Sequence, residues 1–310
     1  METGTLTDDT AMNYGAQVAV ESTSVTSKSE KPSTSKQVDP RRLKATECLF
    51  HNVKRQEDIE KCYVTGVLYI PGHIVVVDYY NHVLKLFDLS GIYVSSTGVN
   101  DNTLGITCVD DCTFATCGLS NTLYLWTLRG STIVSKDVSY QVDDYVHGIH
   151  YNGTYYCVLH VHRDDNTITV LDRQGTQVRK IITKEAYGRT FKFAYDIHTD
   201  SETNNIYVPC WDEDGVLCMT IEGQALWFRS LSYGPRGITE IQGALCVADR
   251  TDICLHLIAK EGRYVRKLLD EEALGGEPEH LCYGQDDKLY ISYDSVDDKH
   301  DIISVFTVTS

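Results

Sequence analysis

Residues His73 to Gly91 read HIVVVDYYNHVLKLFDLSG, in which two apolar runs, IVVV and VLKLF, flank the polar and aromatic corner DYYN. Val75 and Val77 in the first run, and Leu84 and Leu86 in the second, are spaced by the two-residue period of a pleated strand. Asp78 and Asn81 at the corner favour a turn, because their side chains hydrogen-bond to nearby backbone. A second turn signal, DLSG, ends the stretch. The sequence therefore predicts a β-hairpin with a turn at each end.

Weaker copies of this hairpin recur along the chain, each with an apolar strand, a polar turn and a second apolar strand. The copies are Phe114–Gly130, Cys157–Gly175, Ile206–Gly223, Leu245–Gly262 and Leu289–Val308. A terminal glycine ends each of the first five hairpins, and these glycines follow one another at intervals of 39, 45, 48 and 39 residues. Repeats of this length with several strands each are typical of β-propeller blades.

An apolar strand precedes each hairpin, and another follows every hairpin except the last, which makes four strands per blade. The last copy leaves no room for a fourth strand before Ser310. We expect the isolated apolar strand Cys48–Val53 to fill that place, because a ring of sheets has to close to avoid exposed edges. The predicted fold is all-β: a six-bladed β-propeller of four-stranded blades over residues 44–310, with the last blade closed by an N-terminal strand.

Residues 1–43 are expected to form a tail outside the propeller. Its segment Glu21–Lys36, ESTSVTSKSEKPSTSK, is rich in Ser, Thr and Lys. Such a composition buries too little apolar surface to offset the entropy that is lost when a chain becomes ordered. We therefore predict that this Ser/Thr-rich tail is disordered.

The first and fifth copies resemble the NHL repeat. The matching residues are Val76, Val77, Asp78, Asn81, Val83 or Leu84, Phe87, Asp88 and Gly91 in the first copy, and Leu245–Arg250 in the fifth. The second and fourth copies depart from the pattern, since Cys117 and Trp211 replace the aspartate or its neighbour. NHL repeats form six-bladed propellers, often at the C-terminus of tripartite-motif proteins. The resemblance implies a protein-binding adaptor or scaffold in ubiquitin-related or innate-immune pathways, here without ring-finger, B-box and coiled-coil segments.

Charge and composition narrow the possible partners. The chain of 310 residues has 28 Lys and Arg against 44 Asp and Glu, a formal net charge of −16. This balance argues against general nucleic-acid binding, which needs clustered basic residues. We expect neither a secretory signal nor a membrane span, and the 11 Cys are therefore expected to be reduced. The prediction is a cytoplasmic monomer without a cofactor or a membrane partner.

The resemblance also implies where a partner binds, because in such propellers the loops before the first strands and the turns inside the hairpins share one face. The candidate partner-binding residues on these loops and turns are Tyr63, His147, Tyr195, Asp196, Arg236, Arg250, Asp252, Glu279 and His280. The turns are also acidic, at Asp78, Asp164, Asp165, Asp212, Glu213, Asp214, Asp249, Asp252, Asp297, Asp298 and Asp301. A negative ring attracts a basic protein or peptide, which is the partner we predict.

Two alternatives stay open. One is an RNA-binding propeller, as some NHL propellers are, with basic side chains in the loops at Arg163, Arg236, Arg250 and Lys299. The other is a metal-dependent lyase or lactonase, two classes that place a catalytic metal on the axis of a six-bladed propeller. The ligands of such a metal would be His147, Asp196, Glu279 and His280.

Other metal and catalytic patterns are weak in this sequence. His160 and His162 face the same side of a strand, but no third ligand follows at a recognisable zinc spacing. The sequence contains no nucleophile elbow, phosphate loop or dinucleotide-binding pattern. We therefore predict no metal ligands and no catalytic residues, and we expect a non-catalytic interaction module.

Overall fold

The computed structural model describes residues 38–99, 102–143, 145–162, 166–188, 193–231, 233–294 and 299–310. Residues 1–37, and with them most of the predicted tail, lie outside the described part of the chain. The described residues form six four-stranded sheets, and all the paired strands in them are antiparallel. Each sheet is one blade of a six-bladed β-propeller, so the predicted fold class is confirmed.

The strands follow the chain blade by blade, beginning with β1 (Lys44–Asn52). Blade 1 contains β2 (Val64–Ile70), β3 (His73–Asp78), β4 (Val83–Asp88) and β5 (Tyr93–Gly98). Blade 2 contains β6 (Thr103–Asp110), β7 (Thr113–Gly118), β8 (Thr122–Arg129) and β9 (Thr132–Gln141). Blade 3 contains β10 (Val146–Tyr151), β11 (Tyr155–His160), β12 (Thr167–Asp172) and β13 (Gln177–Ile182).

The remaining blades have the same plan. Blade 4 contains β14 (His198–Thr199), β15 (Ile206–Cys210), β16 (Gly215–Met219) and β17 (Ala225–Ser230). Blade 5 contains β18 (Pro235–Ile241), β19 (Ala244–Asp249), β20 (Cys254–Ala259) and β21 (Tyr264–Leu269). Blade 6 contains β22 (Pro278–Tyr283), β23 (Lys288–Tyr293), β24 (Ile302–Thr309) and, from the other end of the chain, β1.

Helices are short, and all but the turn Pro40–Arg42, which precedes β1, lie between strands. They are α1 (Thr183–Tyr187), α2 (Glu271–Leu274) and the 3-10 turns Pro40–Arg42 and Trp211–Glu213. Gly275 ends α2 with a φ of 62°, a left-handed conformation that glycine adopts without strain. Among the described residues, no helix has the length and apolar character needed to cross a membrane.

β1 closes the ring of blades. It pairs antiparallel with β24, starting from Lys44 opposite Thr309. The pairing of the two ends of the propeller confirms the predicted closure, although the strand begins at Lys44 rather than at Cys48. A bulge between Glu47 and Leu49 shifts the register. Such a shift interrupts the two-residue alternation, which is why the first half of this strand was not recognisable as part of it.

Most of the core lies between neighbouring blades. All six residues of β19 and all six of β20 are buried, because each middle strand has another blade on either side. The outer strand β13 is different, since five of its six residues are exposed. Burial on both faces explains why the inner runs, such as IVVV, are continuously apolar instead of alternating.

The polar corner of the first hairpin is buried and ionic. Lys85 Nζ donates hydrogen bonds to Asp58 Oδ2 at 2.6 Å, to Asp78 Oδ2 at 2.7 Å and to the Val53 carbonyl at 3.0 Å. Asn81 Nδ2 also donates to Asp78 Oδ2, at 2.9 Å. We call Asp58, Asp78 and Lys85 the blade-1 ion cluster. Asp78 and Asn81 therefore orient the blade and do not form a surface site of their own.

Candidate partner-binding site

A β-bulge near the start of the first strand directs one side chain of most blades toward the propeller axis. In blade 1 the register shifts between Val64 and Gly66, and it shifts at equivalent points in blades 2, 3, 5 and 6. Such a bulge changes the direction of a side chain without ending the strand. The positions at this point of the six blades line the mouth of the axial channel, and we call them the axial ring: Thr65, Leu104, His147, Tyr195, Arg236 and Glu279.

The residue after the axial ring is glycine in four blades, because neighbouring blades are very close there. A Cβ on Gly237 would lie 2.6 Å from the carbonyl oxygen of Glu279, and a Cβ on Gly148 would lie 3.1 Å from Cα of Asp196. In blades 4 and 6 the equivalent residues are Asp196 and His280. Their side chains line the channel, a cavity of about 270 Å³.

Arg236 and Glu279 form the charged centre of the axial ring. The Arg236 guanidinium donates to Glu279 Oε1 and lies 3.8 Å above the ring centroid of Tyr195. Tyr63 donates its hydroxyl to the same Glu279 oxygen at 3.4 Å. Burial raises the pKa of Glu279, and the nearby charge of Arg236 acts against this shift. The two charges therefore balance each other inside the protein.

Burial determines the charge of the other polar residues at the axis. It lowers the pKa of His147 to about 4 and that of His280 to about 3, and the positive charge of Arg236 acts in the same direction. Burial raises the pKa of Asp196 to about 7, although its two carboxylate oxygens accept backbone N–H groups at 2.8 and 3.0 Å. Both imidazoles are thus neutral at pH 7.

The structure brings seven of the nine candidate residues together at the axis. Those that line the mouth or the channel are Tyr63, His147, Tyr195, Asp196, Arg236, Glu279 and His280. Arg250 does not line it and instead bridges Glu277 at 2.7 Å and Asp294 at 2.8 Å. Asp252 lies 3.2 Å from the ammonium of Lys267. A role of the nine residues in partner binding stays a prediction.

Exposed aromatic side chains lie in four of the six blades on the face that carries the mouth, a feature that the sequence reasoning missed. They lie in the loops before first strands or directly after second strands, on the same face as the axial ring. We call them the aromatic rim, with exposed fractions between 37% and 60%: Tyr80, Tyr145, Phe193, Trp211 and Tyr233. Phe193 and Trp211 pack edge to face with ring centroids 5.8 Å apart. For Tyr145 and Tyr233 the available signal was an aromatic residue one or two positions before a first strand.

The acidic turns differ from the expected negative ring at Asp78 and Asp249, because both carboxylates are fully buried. Asp78 accepts a hydrogen bond from Lys85, and Asp249 Oδ2 lies 3.2 Å from His256 Nε2. These two carboxylates therefore contact Lys85 and His256 inside the blades and are not part of an exposed negative ring. Asp212 is exposed on the turn of blade 4. Four of the predicted acidic residues lie outside the described residues: Asp164, Asp165, Asp297 and Asp298.

The four candidate ligands of an axial metal surround the axis without converging: His147, Asp196, Glu279 and His280. The structure describes all four, and no three of them bring ligand atoms within 4.8 Å of one another. A catalytic zinc needs three protein ligands at bond distances of about 2.0–2.3 Å. The geometry at the axis therefore does not fit a lyase or lactonase metal.

No protein-family model matches the sequence, and no curated protein sequence matches it at a significant level. The structure is similar to the crystal structure of a protein of unknown function from Bacteroides caccae, with a TM-score of 0.59 and 15% sequence identity. The similarity covers 75% of this chain and 89% of that chain. At this identity the match supports the propeller fold alone, and the resemblance to NHL repeats stays a prediction.

Proposed function

We propose that this protein is a non-catalytic interaction module that binds a protein or peptide on the face formed by the axial ring and the aromatic rim. The observation that carries the proposal is the set of five exposed aromatic side chains in loops of one face. Exposed Tyr, Phe and Trp offer a large contact area at a low entropic cost, and Tyr and Trp are enriched among interface hot spots. Two further exposed aromatic residues of the described chain, Phe50 and Tyr264, lie apart on outer strands.

The proposed partner is a segment with basic character. The net charge of −16 attracts positive charge over long range. Lysine and arginine also bind well over aromatic faces, within about 6 Å of the ring centroid. Arg236 over Tyr195 shows this arrangement within the axial ring. Asp212, which is exposed next to Trp211 of the rim, offers a carboxylate to such a partner.

The resemblance to NHL propellers extends the proposal to an adaptor role in ubiquitin-related or innate-immune pathways. A cytoplasmic location and a monomeric state belong to the same proposal. The ten cysteines whose side chains the structure describes are free thiols, most of them buried. Free cysteines of this kind are typical of proteins kept in a reducing compartment.

RNA binding is less well supported, because two of the three loop arginines are already paired with carboxylates, while Arg163 lies outside the described residues. Arg236 is paired with Glu279, and Arg250 is paired with Glu277 and Asp294. A guanidinium held in this way offers fewer donors to a phosphate, and the negative field of the protein repels a nucleic-acid backbone.

Peptide display tests the proposed interaction surface. A random peptide library is selected on the full chain, and the affinities of the selected peptides are then measured for Trp211→Ala/Tyr233→Ala and for Phe50→Ala. Phe50 is 51% exposed on β1 and serves as the matched control outside the rim. We expect peptides enriched in Lys and Arg whose affinity falls with salt. The loss in the double variant should be about tenfold or more, since each tenfold step corresponds to 1.4 kcal/mol.

Two results would contradict the proposal. Selected peptides without an excess of basic residues would remove the predicted partner chemistry. Equal affinity for the wild type and for Trp211→Ala/Tyr233→Ala, with the variant folded, would place the binding surface elsewhere.

A further inference from the structure

Blade 5 repeats the architecture of the blade-1 ion cluster with different side chains. In blade 1, Asp78 ends β3 and Lys85 is the third residue of the next strand. In blade 5, Asp249 ends β19, and the first and third residues of the next strand are Cys254 and His256. The position that supplies a buried ammonium in blade 1 therefore supplies an imidazole in blade 5.

Four side chains with metal-binding atoms converge at this place: Asp249, Asp252, Cys254 and His256. Their ligand atoms all lie within 4.8 Å of one another. His256 Nε2 is 3.2 Å from Asp249 Oδ2 and 3.3 Å from Cys254 Sγ. A tetrahedral zinc with bonds of about 2.0–2.3 Å holds its ligand atoms roughly 3.3–3.6 Å apart. The two distances from His256 Nε2 are thus close to the spacing that zinc requires, the remaining ligand atoms lie within 4.8 Å, and the more exposed Asp252 can complete the set.

The surroundings of the cluster orient its ligands. The Nδ1 atom of His256 lies 3.3 Å from the Tyr264 hydroxyl, on the side of the ring away from Asp249 and Cys254. A histidine that binds a metal usually donates its other ring N–H to an oxygen, which fixes the ring. Asp249 is also held, because its Oδ1 accepts the Asp252 N–H at 2.9 Å. Asp249, Cys254 and His256 are 0%, 0% and 2% exposed, so these three are already fixed by packing.

The charges of the cluster balance when a divalent metal is present. Two aspartates and a thiolate carry three negative charges, and His256 is a neutral ligand. A zinc ion adds two positive charges, and Lys267, with its ammonium 3.2 Å from Asp252, adds a third. The Lys267 ammonium also hydrogen-bonds the Cys254 thiol. Because the Lys267 side chain is 44% exposed, it can turn outward to the rim of the site when a metal binds Cys254.

We propose that Asp249, Asp252, Cys254 and His256 bind one zinc ion that cross-links the hairpin of blade 5 on the partner-binding face. A thiolate with an imidazole favours zinc over magnesium or calcium, which prefer oxygen ligands alone. The related group in blade 1, Asp58, Cys62 and Asp78, is different because the Lys85 ammonium that contacts it is buried, with 1% exposure, whereas the Lys267 side chain of blade 5 is 44% exposed and can turn to solvent. Blade 5 is therefore the site at which the metal binds.

Metal analysis of the full chain provides the first test. The purified protein is treated with a chelator, reloaded with Zn²⁺ and freed of excess metal, and its zinc content is measured. A parallel sample receives Co²⁺, which reports a cysteine ligand through a thiolate-to-cobalt charge-transfer absorption. We expect one zinc per chain, the cobalt band and a higher melting temperature with zinc. Zinc content at the chelator-treated level with no cobalt band would overturn the proposal, and the cluster would then be a hydrogen-bonded network.

Variants assign the metal to blade 5. Cys254→Ser should abolish the cobalt band, and His256→Lys, which introduces the ammonium used in blade 1, should abolish zinc binding. Tyr264→Phe should weaken zinc affinity roughly tenfold, as the loss of an oxygen that orients a ligand does elsewhere. Cys112→Ser is the matched control, because Cys112 is an exposed cysteine in another blade. If Cys112→Ser lost the band, or if a folded Cys254→Ser kept it, the assignment would be wrong. If Cys254→Ser does not fold, the cobalt spectra of the wild type, Cys112→Ser and Tyr264→Phe are compared instead. The assignment then requires the band in the wild type and in Cys112→Ser, and weaker metal binding in Tyr264→Phe.

Discussion

Replacement of Lys85 by Met should destabilise the propeller by several kcal/mol, because it removes the cation that two buried carboxylates share. The Lys85 ammonium lies 2.6 Å from Asp58 and 2.7 Å from Asp78, and the three side chains are 1%, 4% and 0% exposed. Met retains most of the length of the apolar stem and leaves both carboxylates in place. Removal of one partner of a buried ion pair costs about 3–5 kcal/mol. The second carboxylate places the expected loss near the upper end of this range.

Lys180→Met is the matched control for this experiment. Lys180 Nζ also lies 2.6 Å from a carboxylate, that of Asp143, but these side chains are 42% and 47% exposed. An exposed pair contributes only about 0–1 kcal/mol. Urea unfolding at pH 7 compares the two variants with the wild type, and a change of midpoint at constant slope measures the change in stability.

The comparison can refute the reasoning in two ways. If Lys85→Met costs less than about 1 kcal/mol, the ion cluster contributes no more than a surface pair does. If both variants lose the same stability, burial is not what makes the blade-1 ion cluster important.

Three other outcomes can be measured on the same protein. Gly237→Ala should lower the free energy of unfolding by about 1–3 kcal/mol, because the added Cβ would lie 2.6 Å from a carbonyl oxygen. In Gly98→Ala the added Cβ would have no atom within 4 Å, so this control should leave the melting temperature nearly unchanged. The pKa of Asp196 is raised to about 7 in the fold, against about 3.9 in an unfolded chain, so this group lowers stability as the pH rises between these values. The melting temperature of Asp196→Asn minus that of the wild type should therefore increase from pH 4 to pH 7. A difference in melting temperature that stays constant over this range would contradict the prediction. Deletion of residues 38–52 should expose the edge of β24, lower the melting temperature and increase light scattering by aggregates; unchanged values would contradict the closure by β1.

The six blades and their closure could be predicted because both depend on local patterns in the sequence. Middle strands with two covered faces are apolar runs, and the runs recur with a nearly regular period. The last blade lacks a fourth strand, and the isolated strand at Cys48–Val53 belongs to no other blade, so this strand was expected to complete the last blade. The residues at the axis could be predicted for a similar reason, since His147, Arg236 and Glu279 occupy one position of the repeat.

Contacts between distant side chains could not be predicted in the same way. Asp58 and Lys85 are separated by 27 positions, as are Arg250 and Glu277. No local pattern links such residues. Lys85 is only seven positions from Asp78, but the strand pattern does not show that its ammonium is buried, so Asp78 was expected to contribute surface charge. The aromatic rim was missed because residues such as Tyr145 lie between the apolar runs, where a repeat pattern based on strands carries no information.

The blade-1 ion cluster and the proposed zinc site share one physical cause. The second strand ends with an aspartate in blades 1 and 5, and the other second strands end with Gly118, His160, Cys210 and Tyr293. A buried carboxylate is costly unless a cation compensates it. Lys85 provides that cation in blade 1, whereas in blade 5 the equivalent strand position holds His256, and the Lys267 ammonium contacts Asp252 and Cys254 from the exposed side of the cluster. If this reasoning holds, removal of zinc should weaken blade 5 for the same reason that Lys85→Met weakens blade 1.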